Sequence, residues 1–394
     1  MSEREELLPR RTSTSSSRKP SRSARRSEVN QETFQSSSAS AGPILPAQAV
    51  ADHHDDEFHD PRWAEYSGRP NALTRFRYIW REELAEMLGT SMIIFFGASV
   101  EAQTSLHYDI NKGHPYSFGD YNSCRLAWAA GVACGIWIAG GVSGAHLNPC
   151  EWIFSYLLLL MQSNSSQLMM TALILTAVTL ALWMYRGFPG RRVLWYIGAQ
   201  ILGAMLASFV VYANYRYSIG LYEGAGFPST VRTVTGPHAT AGIFFTFPQP
   251  WLPASSAFLS EVVATAVLVA VVLALSDKNN LPPPKGTMAF AMFIVLIGIG
   301  ASMGVNTGYS LNLGRDWGPR LALWILGYGN EIWTHNSYYF AWGPGLGALT
   351  GGLVGGFIYD FAIYTGRDSP LNRPVGGTAN PKVNDEAILD ESEA

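Results

Sequence analysis

SGAHLNP at residues 143–149 is a small, polar interruption in an apolar part of the chain, and TGYSLNLGR at 307–315 repeats its glycine-to-asparagine pattern in the second half. Around the two motifs, nearly uncharged runs recur at residues 84–105, 126–142, 193–213, 258–275, 286–305 and 342–364. A run of about 20 apolar residues matches the hydrocarbon thickness of a bilayer. The chain therefore reads as an all-α polytopic membrane protein with six transmembrane helices. Asn148 and Asn312 each open an apolar segment too short to cross, so each reads as the start of a half-helix that enters the bilayer and stops at mid-depth. Irregular backbone at that depth is tolerated only when it is buried in protein or lines a wet cavity.

The repeat extends into the spans. The first carries Glu86-Met-Leu-Gly-Thr90 and the fourth Glu261-Val-Val-Ala-Thr265, and one of the polar motifs follows each of them two spans on. Three spans per half give the halves opposite orientation, an inverted repeat with its functional centre expected near the midplane. Two half-helices meeting N-terminus to N-terminus aim two positive dipole ends and two Asn amides at one point. Such a point repels cations and protons while the amides donate to water or a hydroxyl. Arg315, one turn into the second half-helix, is an ionisable residue at membrane depth and marks a functional site. Its structural alternative is a pair with Asp316.

Residues 1–78 are rich in Ser, Arg, Pro and acidic groups without apolar periodicity and read as a disordered cytoplasmic tail; residues 368–394 read as a second one. RRTS at 10–13 and ARRS at 24–27 suit basophilic kinases. HHDDEFHD at 53–60 has metal-ligand residue types but no fold to hold them, so no metal or cofactor is expected. Cys124, Cys134 and Cys150 lack disulfide or metal spacing and read as small buried side chains. Arg75, Arg77 and Arg81 before the first span place the N-terminus in the cytoplasm, and six spans return the C-terminus there. The net charge of −3 says nothing about partners; no nucleic-acid partner is expected, and no nucleophile, base or metal cluster converges as an enzyme requires.

SGAHLNP, GYSLNLGRDWGPR, the two E-x-x-x-T spans and the Tyr359-Asp360 ending of the last span together resemble the aquaporin or major intrinsic protein family, over about residues 80–367. The resemblance implies a channel domain at 79–367: a right-handed bundle of six helices with two re-entrant half-helices, one pore per subunit, and a homotetramer in membrane lipid. Within the family, Asp316 directly after the Arg is similar to the glycerol-conducting branch. So are Trp128, twenty residues before Asn148, and Gly300 and Tyr309, twelve and three before Asn312; the nearest likeness is to the aquaglyceroporins of filamentous fungi.

That likeness implies a passive channel for glycerol, other small neutral solutes and water, in the plasma membrane. Trp128, Gly300, Tyr309 and Arg315 would form the selectivity filter. Asn148, Pro149, Asn312, Leu313 and Gly314 would form the pore centre, and Glu86, Glu261 and His146 would support the re-entrant loops. A polyol has one CH face and one hydroxyl face, so an aromatic corner at Trp128 and Tyr309 opposite the donor fork of Arg315 suits it, with Gly300 leaving room. The second motif departs from the family in reading Asn312-Leu313-Gly314, which lacks the proline that presets a first helical turn. The competing functions are a non-conducting membrane scaffold and a secondary transporter, which would need coupling carboxylates such as Glu86 and Glu261 to face the pore.

One segment does not fit. In the family a short half-helix follows Asn-Pro almost at once, whereas here VTLALWMYRGFPGRR begins at Val178, with 28 residues between Pro149 and it. If 168–185 were an added span, RGFPGRR would face outside against the charge rule and every later element would be inverted. Cys150-Glu151-Trp152 can be written TGT-GAG-TGG, containing a splice donor, and Thr176-Ala177 as ACA-GCN, containing an acceptor. Residues 150–177 thus read as a retained intron whose removal deletes 27 codons in frame and joins SGAHLNPSVTLALWMYRGFPGRR. A genuine lineage-specific insertion is the alternative. Sequencing the transcript across residues 148–192 is expected to show the shorter message; a message that keeps all 27 codons removes the intron reading.

Overall fold

A computed structural model of the protein describes residues 71–110, 118–147, 182, 184–186, 193–367 and 369–372. Asn148, Pro149, Cys150, the 150–177 segment, the kinase-type motifs and the histidine-rich run lie outside the described residues. Every described element is helical: α1 (Ala72–Ile79), α2 (Arg81–Ile110), α3 (Tyr121–Ala139), α4 (Val193–Glu223), α5 (Ala254–Ser276), α6 (Met288–Met303), α7 (Leu313–Leu323), α8 (Glu331–Phe340) and α9 (Ala348–Ala362), besides short wide or tight turns of helix.

The six uncharged runs coincide with α2, α3, α4, α5, α6 and α9, the last preceded by a wide-turn segment, Ala341–Gly347. By length and composition alone, α2, α4 and α5 can each cross a membrane, and α6 is a shorter apolar helix. Polar residues set the ends. At the start of α3, Asp120 accepts from the Ser123 backbone N–H at 2.9 Å while its own N–H donates to Ser123 Oγ at 3.1 Å, a reciprocal cap for two otherwise unpaired donors. The Ser123 N–H also holds the Asp120 carboxyl below the ordinary carboxylate value.

Between spans, glycine lets backbone touch backbone. A Cβ on Gly203 of α4 would lie 2.0 Å from the Met87 carbonyl of α2, and one on Gly135 of α3 would lie 2.6 Å from that of Gly89. The second half does the same: a Cβ on Gly351 or Gly355 of α9 would meet the Val262 or Ala266 carbonyl of α5 at 2.4 and 2.2 Å. In lipid there is no hydrophobic gain from joining helices, so close van der Waals approach at small residues carries the association. The Gly-rich stretch at 343–357 is used in this way.

Contacts fix the direction of each span. The Trp80 and Trp195 rings meet at 5.2 Å and Tyr196 Oη donates to Glu82 at 2.5 Å, so α2 and α4 start at one end of the bundle. α3 finishes at that end, where Trp137 Nε1 donates to the Gly286 carbonyl just before α6 at 2.9 Å. The ends of α5 and α9 meet through Tyr359 Oη donating to Asp277 at 2.8 Å, and Arg186 pairs with Asp360 at 2.9 Å. At the opposite end Tyr121 Oη, at the start of α3, donates to the Gly300 carbonyl of α6 at 2.7 Å. Because α3 ends where α4 begins, α4 and all later helices keep the orientation an inverted repeat requires. Gly203→Val is expected to lower stability by about 1–3 kcal/mol through overpacking, read as a reduced Tm in detergent, with Gly198→Val, whose Cβ would meet nothing within 4 Å, as the mild control.

Candidate functional site

Two loops reach into the bundle from opposite ends, and each is strung on one buried glutamate. The carboxylate of Glu86 accepts from the His146 N–H at 2.9 Å and the Leu147 N–H at 2.7 Å, and also from Ser143 Oγ and Gln200 Nε2. The carboxylate of Glu261 accepts from the Ser310 and Leu311 N–H groups, each at 3.1 Å, and from Tyr339 Oη at 3.4 Å. Both glutamates are fully buried. A carboxylate persists in such a place because several donors converge on it. Thr90 and Thr265, the other half of each E-x-x-x-T pattern, are buried with hydroxyls that find no partner among the described residues.

The loops share a backbone pattern as well as an anchor. Gly144, Ala145 and Leu147 have φ of 86°, 52° and 47°, and Gly308, Tyr309 and Leu311 have 76°, 39° and 54°. Left-handed backbone costs a non-glycine residue roughly 1–2 kcal/mol. The two N–H groups that each loop aims at its glutamate offset that strain. His146 also packs its ring against Tyr196, with centroids 5.5 Å apart.

Asn312 caps α7, its Oδ1 accepting from the Arg315 N–H at 3.1 Å. Its Nδ2 donates to the Leu147 carbonyl at 2.6 Å, so the side chain ties the loop of one half to that of the other. One amide hydrogen is thus engaged with the protein backbone. Leu313 and Gly314, in the first turn, are buried.

Trp128, Gly300, Tyr309 and Arg315 are brought together, with two differences from the arrangement expected. The Arg315 guanidinium lies over the Trp128 ring at 4.0 Å rather than across a gap from it, because the ring face attracts a cation. Arg315 Nη1 then donates to the Phe244 carbonyl at 3.1 Å. Gly300 does not leave an open space: a Cβ there would sit 2.9 Å from Tyr309 Oη and 3.0 Å from Arg125 Cδ, so those atoms occupy the room. Asp316 does not pair with Arg315. It accepts from the Thr246 N–H and hydroxyl, both at 2.9 Å, and pairs with Arg320 Nε at 2.6 Å. Arg320 in turn donates to the Thr246 carbonyl at 2.8 Å. This pair pins the stretch whose Phe244 carbonyl receives Arg315.

Glu101, Arg125 and Tyr121, which belong to none of the sequence motifs, also stand in this cluster. Glu101 lies inside the first uncharged run, where a carboxylate is costly enough to ask for an explanation. Arg125 stands one residue before the second run. Among the described residues no group of three His, Cys, Asp or Glu side chains has the arrangement of a metal site.

A bundle of apolar helices in an inverted repeat, with two loops meeting inside it, defines an integral membrane protein of channel architecture. The family model described as "Major intrinsic protein" matches residues 73–175 and 171–359, two stretches that overlap at residues 171–175. Aquaporin-7-1 of Laccaria bicolor is 39% identical over 299 residues, 76% of this chain and 80% of that protein. Aquaglyceroporin-9 of Botryotinia fuckeliana is 39% identical over 328 residues, 83% of this chain and 63% of that protein. The X-ray structure of the aquaglyceroporin from Plasmodium falciparum superposes with a TM-score of 0.53 at 25% identity, over 72% of this chain and 96% of that one. The chain belongs to the major intrinsic protein family, whose members are membrane channels for water and small solutes and not enzymes.

Removing a loop anchor leaves two buried N–H groups without an acceptor, at about 1–3 kcal/mol each. Glu261→Ala is therefore expected to lower the detergent Tm and the monodisperse yield more than Glu261→Gln, which keeps one acceptor oxygen; equal loss in both would count against the carboxylate as anchor.

Proposed function

We propose that this chain is a passive channel for glycerol and other small neutral solutes, with accompanying water permeability. The observation that carries the reading is Arg315: a guanidinium at the start of a half-helix, fixed by the Phe244 carbonyl and stacked on Trp128. The apolar Trp128 ring and the remaining donors of the Arg315 fork, side by side, suit the two kinds of surface a polyol carries. Trp128, Gly300, Tyr309 and Arg315 are the proposed filter, and Asn148, Pro149, Asn312, Leu313 and Gly314 the proposed pore centre, with Asp316 supporting the filter from behind. The names of the Botryotinia relative and the Plasmodium structure favour glycerol over a water-only channel. A homotetramer, a plasma-membrane location, cytoplasmic termini and a kinase-accessible N-terminal tail at residues 1–78 complete the reading. So does a retained intron at 150–177, the segment in which the family match passes from its first stretch to its second.

The test is swelling of vesicles under a glycerol gradient, with the full chain and a form lacking residues 150–176 compared side by side. The shorter form is expected to give glycerol flux above protein-free vesicles; folded protein of both forms without flux would favour the scaffold. Arg315→Ala is expected to loosen exclusion, admitting larger polyols and protons about tenfold faster, the equivalent of one lost charge-assisted contact. An unchanged solute ranking would remove Arg315 from the filter.

A further inference from the structure

Behind the four proposed filter positions lies a charged pair that the polyol chemistry does not call for. Glu101 of α2 and Arg125 of α3 join through Oε1 and Nη2 at 2.6 Å, with side chains 23% and 9% exposed. The same Oε1 accepts from Trp128 Nε1 at 3.0 Å. The Arg125 guanidinium lies 5.0 Å from the centre of the Tyr309 ring and 4.5 Å from that of Tyr121, and its Cδ fills part of the space a side chain at Gly300 would take. Both aromatic side chains of the proposed filter are thus held through this one pair, Trp128 by a hydrogen bond and Tyr309 by its ring face. Arg125 Nε and Tyr309 Oη are buried without a partner among the described residues.

The charges matter as much as the contacts. Arg125 and Arg315 place two guanidinium groups around Trp128 and Tyr309, and a constriction with two uncompensated positive charges draws anions. Glu101 cancels one of them from inside the same cluster.

We infer that Glu101 and Arg125 are specificity-determining residues of the constriction: Glu101 positions Trp128 and Arg125 and neutralises the second guanidinium against anion entry, while Arg125 backs Tyr309 and sets the width beside Gly300. The inference rests on the filter reading proposed above. Both are positioning residues, acting through the aromatic rings and the local field.

The test uses vesicles carrying the full chain and, in parallel, the form lacking 150–176, with glycerol, water and chloride permeability measured on each. Glu101→Gln keeps an acceptor for Trp128 but leaves both cations unbalanced, so chloride permeability is expected to rise about tenfold. The double variant Glu101→Gln/Arg125→Gln is expected to restore chloride exclusion while the glycerol-to-water ratio stays altered. Arg125→Lys, which keeps the charge but loses the flat guanidinium stack, is expected to shift that ratio without admitting chloride. Folded Glu101→Gln and Arg125→Lys proteins that conduct with the unmodified chloride permeability and glycerol-to-water ratio overturn the inference. If Arg315→Ala also leaves the ratio unchanged, the filter reading falls with it; if Arg315→Ala shifts the ratio, only the role of Glu101 and Arg125 is lost. Absence of flux from both forms overturns the channel reading and this inference together.

Discussion

A carboxylate buried in apolar helices has to be surrounded by donors, and at Glu86 and Glu261 those donors are the backbone of the two re-entrant loops. The dependence runs both ways. Without the loops the glutamates would be uncompensated charges inside the bundle; without the glutamates, backbone at left-handed φ would have no acceptor for its inward N–H groups. Everything that gives the centre its chemistry follows from this mutual requirement. The Glu261 loop delivers Tyr309 and Asn312, Asn312 caps α7, and the first turn of α7 carries Arg315. The Glu86 loop delivers the Leu147 carbonyl that Asn312 meets.

A second layer of polar pairing surrounds that core and decides where Arg315 points. Asp316 and Arg320 occupy one another and grip Thr246. This leaves Arg315, the neighbour of Asp316, without a carboxylate partner among the described residues. Its charge is met instead by the Trp128 ring and the Phe244 carbonyl. An arginine met by a ring face and a neutral carbonyl leaves its positive field locally uncancelled, whereas a carboxylate partner would offset that field. Burial of the stronger ion pair a turn further along the helix is what makes the weaker-held guanidinium available.

What could be read from the amino-acid sequence is what depends on local pattern. The six uncharged runs, the repeated E-x-x-x-T spacing and the glycine-to-asparagine motifs each lie within a few consecutive residues, and they locate the helices, the anchors and the N-cap of α7. What escaped depends on partners far apart in the chain. Arg125 has no evident role until α2 brings Glu101 beside it, nor has Arg320 until Thr246 comes within reach. The expectation of room at Gly300 fails for the same reason: a missing side chain says that something comes close, and only the fold says that it is Tyr309 and Arg125. Likewise the pairing of Asp316 with Arg320 follows from helical spacing, but its precedence over Arg315 follows from the position of Thr246.

The bond from Asn312 to the Leu147 carbonyl also has a meaning for biosynthesis. The two residues are separated by 165 positions and enter the bundle from opposite ends, so the first loop acquires its last tie only after α5 and α6 have been placed. Until then its left-handed backbone is held by Glu86 and its neighbours alone. The tie between the two loops is therefore one that the first half of the chain cannot make by itself.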